Sequence, residues 1–120
     1  MPLEPLSQKE IEDRLAELPG WSLTSPRTEA ADGSGAAGAS GAAEVRLTRS
    51  YRLVAHFAAT AFVVHIAQVQ EELGHHADLT LGYNTVVFAV NTHSAGGALT
   101  DLDFELARRV EALASGHGAE

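Results

Sequence analysis

The sequence contains no cysteine. This absence excludes disulfide-stapled scaffolds, thiolate nucleophiles and cysteine-ligated zinc ribbons. Positive charge is also scarce, because 8 lysine and arginine residues stand against 16 aspartates and glutamates and the formal net charge is −8. Nucleic-acid affinity comes largely from basic side chains that neutralise phosphates. We therefore expect no nucleic-acid partner.

Long apolar runs are missing as well. The most apolar stretch, residues 53–67, falls short of the roughly 20 residues that a membrane-spanning helix needs, and it contains His56 and His65. Residues 1–15 carry acids and prolines where a secretory signal peptide would carry basic residues and then an apolar segment. The expectation is a cytoplasmic protein without a membrane partner.

Two segments have the apolar spacing and the end signals of helices. Ser7 and Glu10 have the spacing of a capping box, and the apolar residues that follow predict a first helix over residues 8–18. Residues 53–73 carry apolar side chains three and four positions apart, which predicts a long helix. Gly74 is expected to end this helix as its C-terminal cap.

Strand patterns occur in two pairs, each typical of a hairpin. Residues 21–23 and 44–51 alternate apolar and polar side chains. They flank a Gly/Ala/Ser-rich stretch at about 28–43, which cannot bury enough side chain to become ordered, so we expect a flexible loop there. Residues 79–81 and 85–91 alternate in the same way around a Gly-Tyr-Asn turn.

A last helix completes the order of elements. Thr100 and Asp103 repeat the capping-box spacing ahead of an apolar stripe, and we expect the chain to fray from about residue 115. The order helix, two strands, helix, two strands, helix predicts one α+β domain over residues 1–120. We expect two layers, in which a four-stranded antiparallel sheet has the helices packed on one face.

Three of the six histidines stand at the ends of predicted elements. His75 and His76 follow the long helix, and His93 follows the fourth strand. Imidazole can give and take protons near neutral pH, so acid/base chemistry is one interpretation. A cation that interacts with the dipole at a helix C-terminus is the other. Spacing alone does not decide between them.

Five short motifs occur in order around these histidines. Leu-Pro-Gly-Trp at residues 18–21 precedes Glu-Glu-Leu-Gly-His-His at 71–76, and Tyr-Asn-Thr-Val at 83–86 precedes Thr-His at 92–93. Leu-Thr followed by Asp at 99–103 completes the set. Together they resemble the signature of the pterin-4a-carbinolamine dehydratases, a family also known as a dimerisation cofactor of a transcription factor. The resemblance covers most of the chain.

The resemblance implies the fold predicted above and a reaction that uses no metal and no cofactor. Its substrate is a 4a-hydroxytetrahydropterin, which loses water to give the quinonoid dihydropterin in tetrahydrobiopterin-type cofactor recycling. The chemistry needs one group that protonates the departing hydroxyl and another that accepts the proton of the adjacent ring nitrogen. By resemblance, His75 and His93 are the catalytic acid/base candidates.

Four further residues match the family's site. By resemblance, His76 holds the pterin and Thr92 lies on a substrate-binding segment. Glu71 and Asp103 are supporting residues, although capping already explains Asp103. Glu71 lies four residues before His75, and i, i+4 proximity would let it orient or charge-tune the imidazole. A solvated glutamate near a helix end is the alternative interpretation of Glu71.

The chain departs from the family pattern close to the site. Ala77 replaces the proline after the histidine pair, Glu72 replaces a lysine, and Leu79 stands where an aromatic residue is common. Residues 94–98 include one extra residue. Loss of the proline is expected to loosen the loop that positions His76, and loss of the aromatic to weaken stacking on the pterin. Weaker substrate affinity is the expected result.

Two other interpretations stay open. Three histidines could hold a catalytic zinc with an open position, although the adjacent His75 and His76 would point apart in a helix or a strand. A non-catalytic binding or assembly-chaperone module is the second alternative, because some relatives of the family act as partners of larger proteins. Retention of the histidine pair and of His93 favours an enzyme.

Self-association is expected on two grounds. Phe57, Val64 and His65 lie off the long-helix stripe assigned to the sheet, so a monomer would expose apolar surface there. The family resemblance also implies dimers or tetramers. We therefore expect a homodimer or homotetramer that binds a pterin small molecule.

Overall fold

The computed structural model describes residues 4–25 and 45–120. The order of elements in these residues is the predicted one, and a single 3-10 turn at His93–Ala95 precedes the last helix. The bounds are as follows: α1 Gln8–Leu15, β1 Ser22–Thr24, β2 Arg46–Arg52, α2 His56–Leu73, β3 Asp78–Leu81, β4 Thr85–Val90 and α3 Asp101–His117. Residues 28–43, predicted to form a flexible loop, fall outside the described part of the chain.

The four strands form one antiparallel sheet in the order β1-β2-β4-β3. Each predicted hairpin is present, and β2 pairs with β4 to join them. Residues paired across neighbouring strands share a face, so Leu47 stands beside Val90 and Tyr51 beside Val86 on the covered side. These four side chains are buried, which places the helices on that face and confirms the two-layer α+β fold.

Aromatic side chains dominate the layer between the sheet and the helices. Trp21 is buried and meets Phe88 edge-on at a centroid distance of 5.2 Å. Tyr51 meets Phe62 of α2 at 5.1 Å. The indole N–H of Trp21 donates to Glu111 Oε1 of α3 at 2.9 Å, so its polar atom is satisfied inside the core.

Helix bounds differ from the predicted ones at the end of α1 and at the start of α2. Helix α1 stops at Leu15, because Leu18 turns back to bond the Leu15 carbonyl. Helix α2 begins at His56 and not at Leu53. The Leu53 N–H donates to the carbonyl of Asn84, in the turn between β3 and β4, so Leu53 is held outside the helix.

The C-terminal end of α3 includes part of the stretch, from about residue 115, in which fraying is expected. The helix continues to His117, and Gly118 caps it with a φ of 72°. Beyond the cap, the Glu120 N–H donates to the Arg52 carbonyl at 2.9 Å and so ties the chain to β2. Within the described residues, no helix is both long and apolar enough to span a membrane.

Candidate active site

The end of α2 sets the direction in which the histidine pair leaves the helix. Gly74 adopts the left-handed conformation with a φ of 65°, as the sequence predicted for a C-terminal cap. No heavy atom would meet a side chain there within 4 Å, so the backbone conformation, not space, favours glycine. The His75 N–H donates to the Gln70 carbonyl at 3.1 Å, which is the six-to-one bond of a Schellman motif.

His75 turns inward and pairs with Asp103 at the start of α3. The distance from His75 Nε2 to Asp103 Oδ1 is 2.6 Å, and the two side chains are 10% and 0% exposed. An ionised carboxylate only accepts hydrogen bonds, so Nε2 carries the proton of this pair. In a neutral ring Nδ1 then holds the free lone pair and can accept a proton.

The second oxygen of Asp103 collects two further hydrogen bonds. Oδ2 accepts the Thr92 hydroxyl at 2.7 Å and the Thr100 backbone N–H at 2.8 Å. The Thr100 hydroxyl lies 2.8 Å from the Thr92 hydroxyl, and it is the donor because the Thr92 proton already points to Asp103. These bonds offset the cost of burying a carboxylate and hold it against His75.

Thr92, which the family resemblance places on a substrate-binding segment, has its side chain turned towards Asp103. Its side chain is buried at 2% exposure, and its hydroxyl is committed to Asp103 and Thr100. The structure thus gives the Thr92 hydroxyl a supporting position behind Asp103. Contact between substrate and the Thr92 segment stays a prediction.

Glu71 pairs with His76 and not with His75, which corrects the expectation from i, i+4 spacing. Glu71 Oε2 lies 2.8 Å from His76 Nε2, and the two side chains are 76% and 57% exposed. The i, i+4 rule applies within a continuous helix, whereas α2 ends at Leu73 and the chain reverses at Gly74. The carboxylate that orients His75 comes from Asp103 instead.

His76 and His93 line one small cleft at the C-terminal end of β4. The cleft has a volume of about 60 Å³, and Arg46, Asp78 and Asn91 also line it. Arg46 Nη1 lies 3.2 Å from Asp78 Oδ2, so the cleft holds charges of both signs.

His93 also borders a second cavity. That cavity has a volume of about 200 Å³ and shares Asn91 with the cleft, while Gly96 and Gly97 form the rest of its wall. His93 lies in the 3-10 turn at His93–Ala95, which the sequence analysis did not predict. His93 therefore lines both the cleft and this cavity.

Gln70 is the site residue that the sequence analysis missed. It is buried at 6% exposure, and its Oε1 accepts the Ala77 N–H at 2.8 Å. A signal was present, because Gln70 lies four residues after Ile66 and so continues the buried face of α2 with a polar side chain.

The remaining histidines lie outside this cleft. His56 Nδ1 contacts the Tyr83 carbonyl at 2.7 Å, and His65 Nδ1 lies 2.9 Å from His117 Nε2. Within residues 4–25 and 45–120, no three side chains of the His, Asp or Glu type are grouped so that they could hold a metal ion. The alternative of a three-histidine metal site is therefore not formed by the histidine pair and His93.

Comparison with known proteins identifies the family. The model of the pterin 4 alpha carbinolamine dehydratase family matches residues 4–113. A Streptomyces avermitilis protein named "Putative pterin-4-alpha-carbinolamine dehydratase" is 66% identical over 119 residues, which are 99% of each chain. A Streptomyces coelicolor protein of the same name is 62% identical over 119 residues, again 99% of each chain. The chain therefore belongs to the pterin-4a-carbinolamine dehydratase family.

Two solved structures have a similar fold. The crystal structure of a transcriptional coactivator/pterin dehydratase from Brucella melitensis has a TM-score of 0.70 and 28% identity, and the match covers 91% of this chain and 97% of that one. A pterin dehydratase-like protein described as a RuBisCO assembly factor in the alpha-carboxysome has a TM-score of 0.50 and 21% identity over 57% of this chain and 79% of that one. This second likeness concerns the fold alone.

Proposed function

We propose that this protein dehydrates a 4a-hydroxytetrahydropterin to the quinonoid dihydropterin by histidine acid/base catalysis. In this reaction the C–O bond at C4a breaks, and the hydroxyl takes up a proton and leaves as water. The adjacent ring nitrogen loses its proton as its electron pair forms the new double bond to C4a. The observation that carries the proposal is the buried pair of His75 and Asp103 beside the cleft of His76 and His93.

His75 is suited to the role of base in this scheme. Asp103 holds its Nε2–H and leaves Nδ1 as the proton acceptor, and the same carboxylate stabilises the imidazolium that forms when Nδ1 takes a proton. His93 then serves as the acid, because a protonated imidazole can donate to the departing hydroxyl at near-neutral pH. The two histidines come from different parts of the chain, because His75 follows α2 and His93 lies in the 3-10 turn.

His76 is suited to binding. It lines the cleft, and its Nε2 contact with Glu71 restrains the ring. Arg46, Asp78 and Asn91 surround it with donors and acceptors that match the amide and amino groups of a pterin ring. The Asp78 carboxylate can accept hydrogen bonds from a ligand, and the Arg46 guanidinium can donate them. A ligand edge that carries both donors and acceptors can therefore pair with these two side chains.

Stopped-flow loss of the 4a-carbinolamine, with and without protein, tests this function. We expect the wild-type protein to accelerate the loss, and we expect His75→Ala and His93→Ala each to lower kcat by about 10²-fold or more, since a positioned acid or base contributes 10²–10⁴-fold. His65→Ala is the matched control, because His65 is exposed on the outside of α2 and should leave turnover unchanged.

The same assay separates the enzyme from a binding module. Calorimetry with a reduced pterin would detect binding in either case, whereas only an enzyme changes the rate. An unchanged rate at saturating protein would refute the dehydratase and favour the non-catalytic alternative.

A further inference from the structure

Gln70 holds the backbone on both sides of the histidine pair. Its main-chain carbonyl accepts the His75 N–H at 3.1 Å, and its side-chain Oε1 accepts the Ala77 N–H at 2.8 Å. Between these two anchors lies only His76. Gln70, a single buried residue of α2, therefore restrains the histidine segment at both ends, through the amides of His75 and Ala77.

The physical need for such a restraint follows from the local chain path. Helix α2 ends at Leu73 and β3 begins at Asp78, so the histidine segment belongs to neither hydrogen-bond ladder. The Ala77 N–H is partly buried, and an amide without a partner there would cost the free energy of desolvation. The Gln70 carboxamide supplies that partner from within the rigid helix.

The identity of residue 77 bears directly on this arrangement. A proline, which the family resemblance places after the histidine pair, fixes φ but carries no N–H. Ala77 leaves φ free and has an N–H, and Gln70 uses that N–H to restrain the turn. The hydrogen bond thus opposes the loosening that loss of the proline was expected to cause.

We infer that Gln70 is a positioning residue that sets where His76 stands in the cleft by holding the Ala77 amide. This inference rests on the proposed function only for its effect on substrate; the restraint itself exists whether or not the protein is an enzyme. Gln70 does not line the cleft and acts through His76.

Amide hydrogen exchange tests the restraint without reference to activity. Gln70→Met keeps the length of the side chain and removes the acceptor, so the Ala77 amide should exchange roughly three- to tenfold faster, as loss of one net hydrogen bond predicts. Gln68→Met is the matched control, because Gln68 lies on the exposed side of the same helix. An unchanged Ala77 exchange rate in Gln70→Met would overturn the inference.

Steady-state kinetics test the effect on substrate. Because Gln70 acts on the binding histidine, Gln70→Met should raise KM by roughly three- to tenfold and leave kcat within about twofold, if the restraint is worth one net hydrogen bond. A fall in kcat with KM unchanged would contradict a role through His76. If the wild-type protein has no dehydratase activity, KM and kcat cannot be measured. Hydrogen exchange of the Ala77 amide would then still test the restraint.

A double-mutant cycle with Ala77→Pro separates the hydrogen bond from simple packing. In the Ala77→Pro background the donor is absent, so adding Gln70→Met should no longer raise KM. If Gln70→Met raises KM equally in both backgrounds, Gln70 acts through packing and the inference is wrong. Should Ala77→Pro fail to fold, the Ala77 exchange rate in Gln70→Met alone decides.

Discussion

At the scale of single residues, Asp103 joins the capping of a helix to the orientation of a candidate catalytic base. Its Oδ2 accepts the backbone N–H of Thr100, the N-cap of α3, while its Oδ1 faces His75. The capping box fixes the carboxylate before any substrate arrives. The ring of His75 is therefore oriented by the start of α3.

Asp103→Asn should impair turnover far more than folding. An amide has one acceptor oxygen, so if that oxygen keeps the Thr92 and Thr100 donors, its NH₂ faces His75 and forces the proton from Nε2 to Nδ1. We expect kcat to fall on the order of 10²–10⁴-fold and stability to fall by about 1–3 kcal/mol. Stopped-flow kinetics and thermal unfolding measure the two effects.

Asp101→Asn provides the matched comparison for Asp103→Asn. Asp101 lies in the same first turn but forms an exposed ion pair with Arg14, which contributes little. The turnover and melting temperature of Asp101→Asn should stay close to those of the wild type. Normal turnover in Asp103→Asn would contradict the role of the carboxylate in orienting His75.

His76→Ala should act mainly on substrate binding. His76 lines the cleft and is exposed, whereas the partly buried His75 is paired with Asp103. We expect KM to rise about tenfold or more and kcat to change much less, as removal of uniform binding predicts. The assignment of roles is wrong if His76→Ala leaves KM unchanged and abolishes kcat.

At the scale of elements, the last turn of α3 is stabilised by contacts with α2. The centroids of the His117 and Phe62 rings are 5.2 Å apart, and His117 Nε2 contacts His65 Nδ1. Burial first, and then the neighbouring His65, lower the pKa of His117. A proton on His117 is therefore less favourable in the folded chain than in the unfolded one.

Acidification should destabilise the protein through His117. Because the pKa of this group is lower in the folded state, its contribution to stability is present above the unfolded value of roughly 6.5 and is lost as the pH falls towards the folded value. The melting temperature should fall between pH 7.5 and pH 5 in both proteins. The fall should be smaller for His117→Gln than for the wild type. Equal losses in the two proteins would show that this histidine is not responsible.

At the scale of the whole molecule, the outer side of α2 has apolar side chains that residues 4–25 and 45–120 leave exposed. Phe57 is 83% exposed and Val64 is 64% exposed, and Val54 just before the helix is 90% exposed. Burial of one such side chain contributes roughly 1.5–3 kcal/mol. A second copy of the chain would remove this surface from water.

We predict a homodimer or homotetramer in solution. Light scattering at micromolar concentration should give at least twice the mass of the 12.6 kDa chain. Phe57→Glu should lower the measured mass, because a charge in an apolar contact is costly. Gln8→Glu is the matched control and should leave the mass unchanged, because Gln8 is exposed on α1 and not on the outer side of α2. A wild-type mass of a single chain would contradict the prediction.

Local patterns in the sequence determined the order of elements and most of their ends. The capping boxes at Ser7 and Thr100 and the cap at Gly74 are present where the spacing predicted them. Such signals depend on residues within a few positions of one another. The helical end of α3 differs from the predicted one because His117 contacts Phe62 of α2, which lies far from it in the sequence.

Only the tertiary structure decided which groups meet in the candidate site. Spacing assigned Glu71 to His75, whereas the partner is Asp103, 28 residues away in the chain. The backbone reversal at Gly74 and the packing of α3 on α2 together bring that carboxylate to the imidazole. Likewise, the bond from Gln70 to Ala77 exists because the chain folds back across the helix end. Sequence patterns determine which elements form, but the burial of their faces against one another determines which side chains touch.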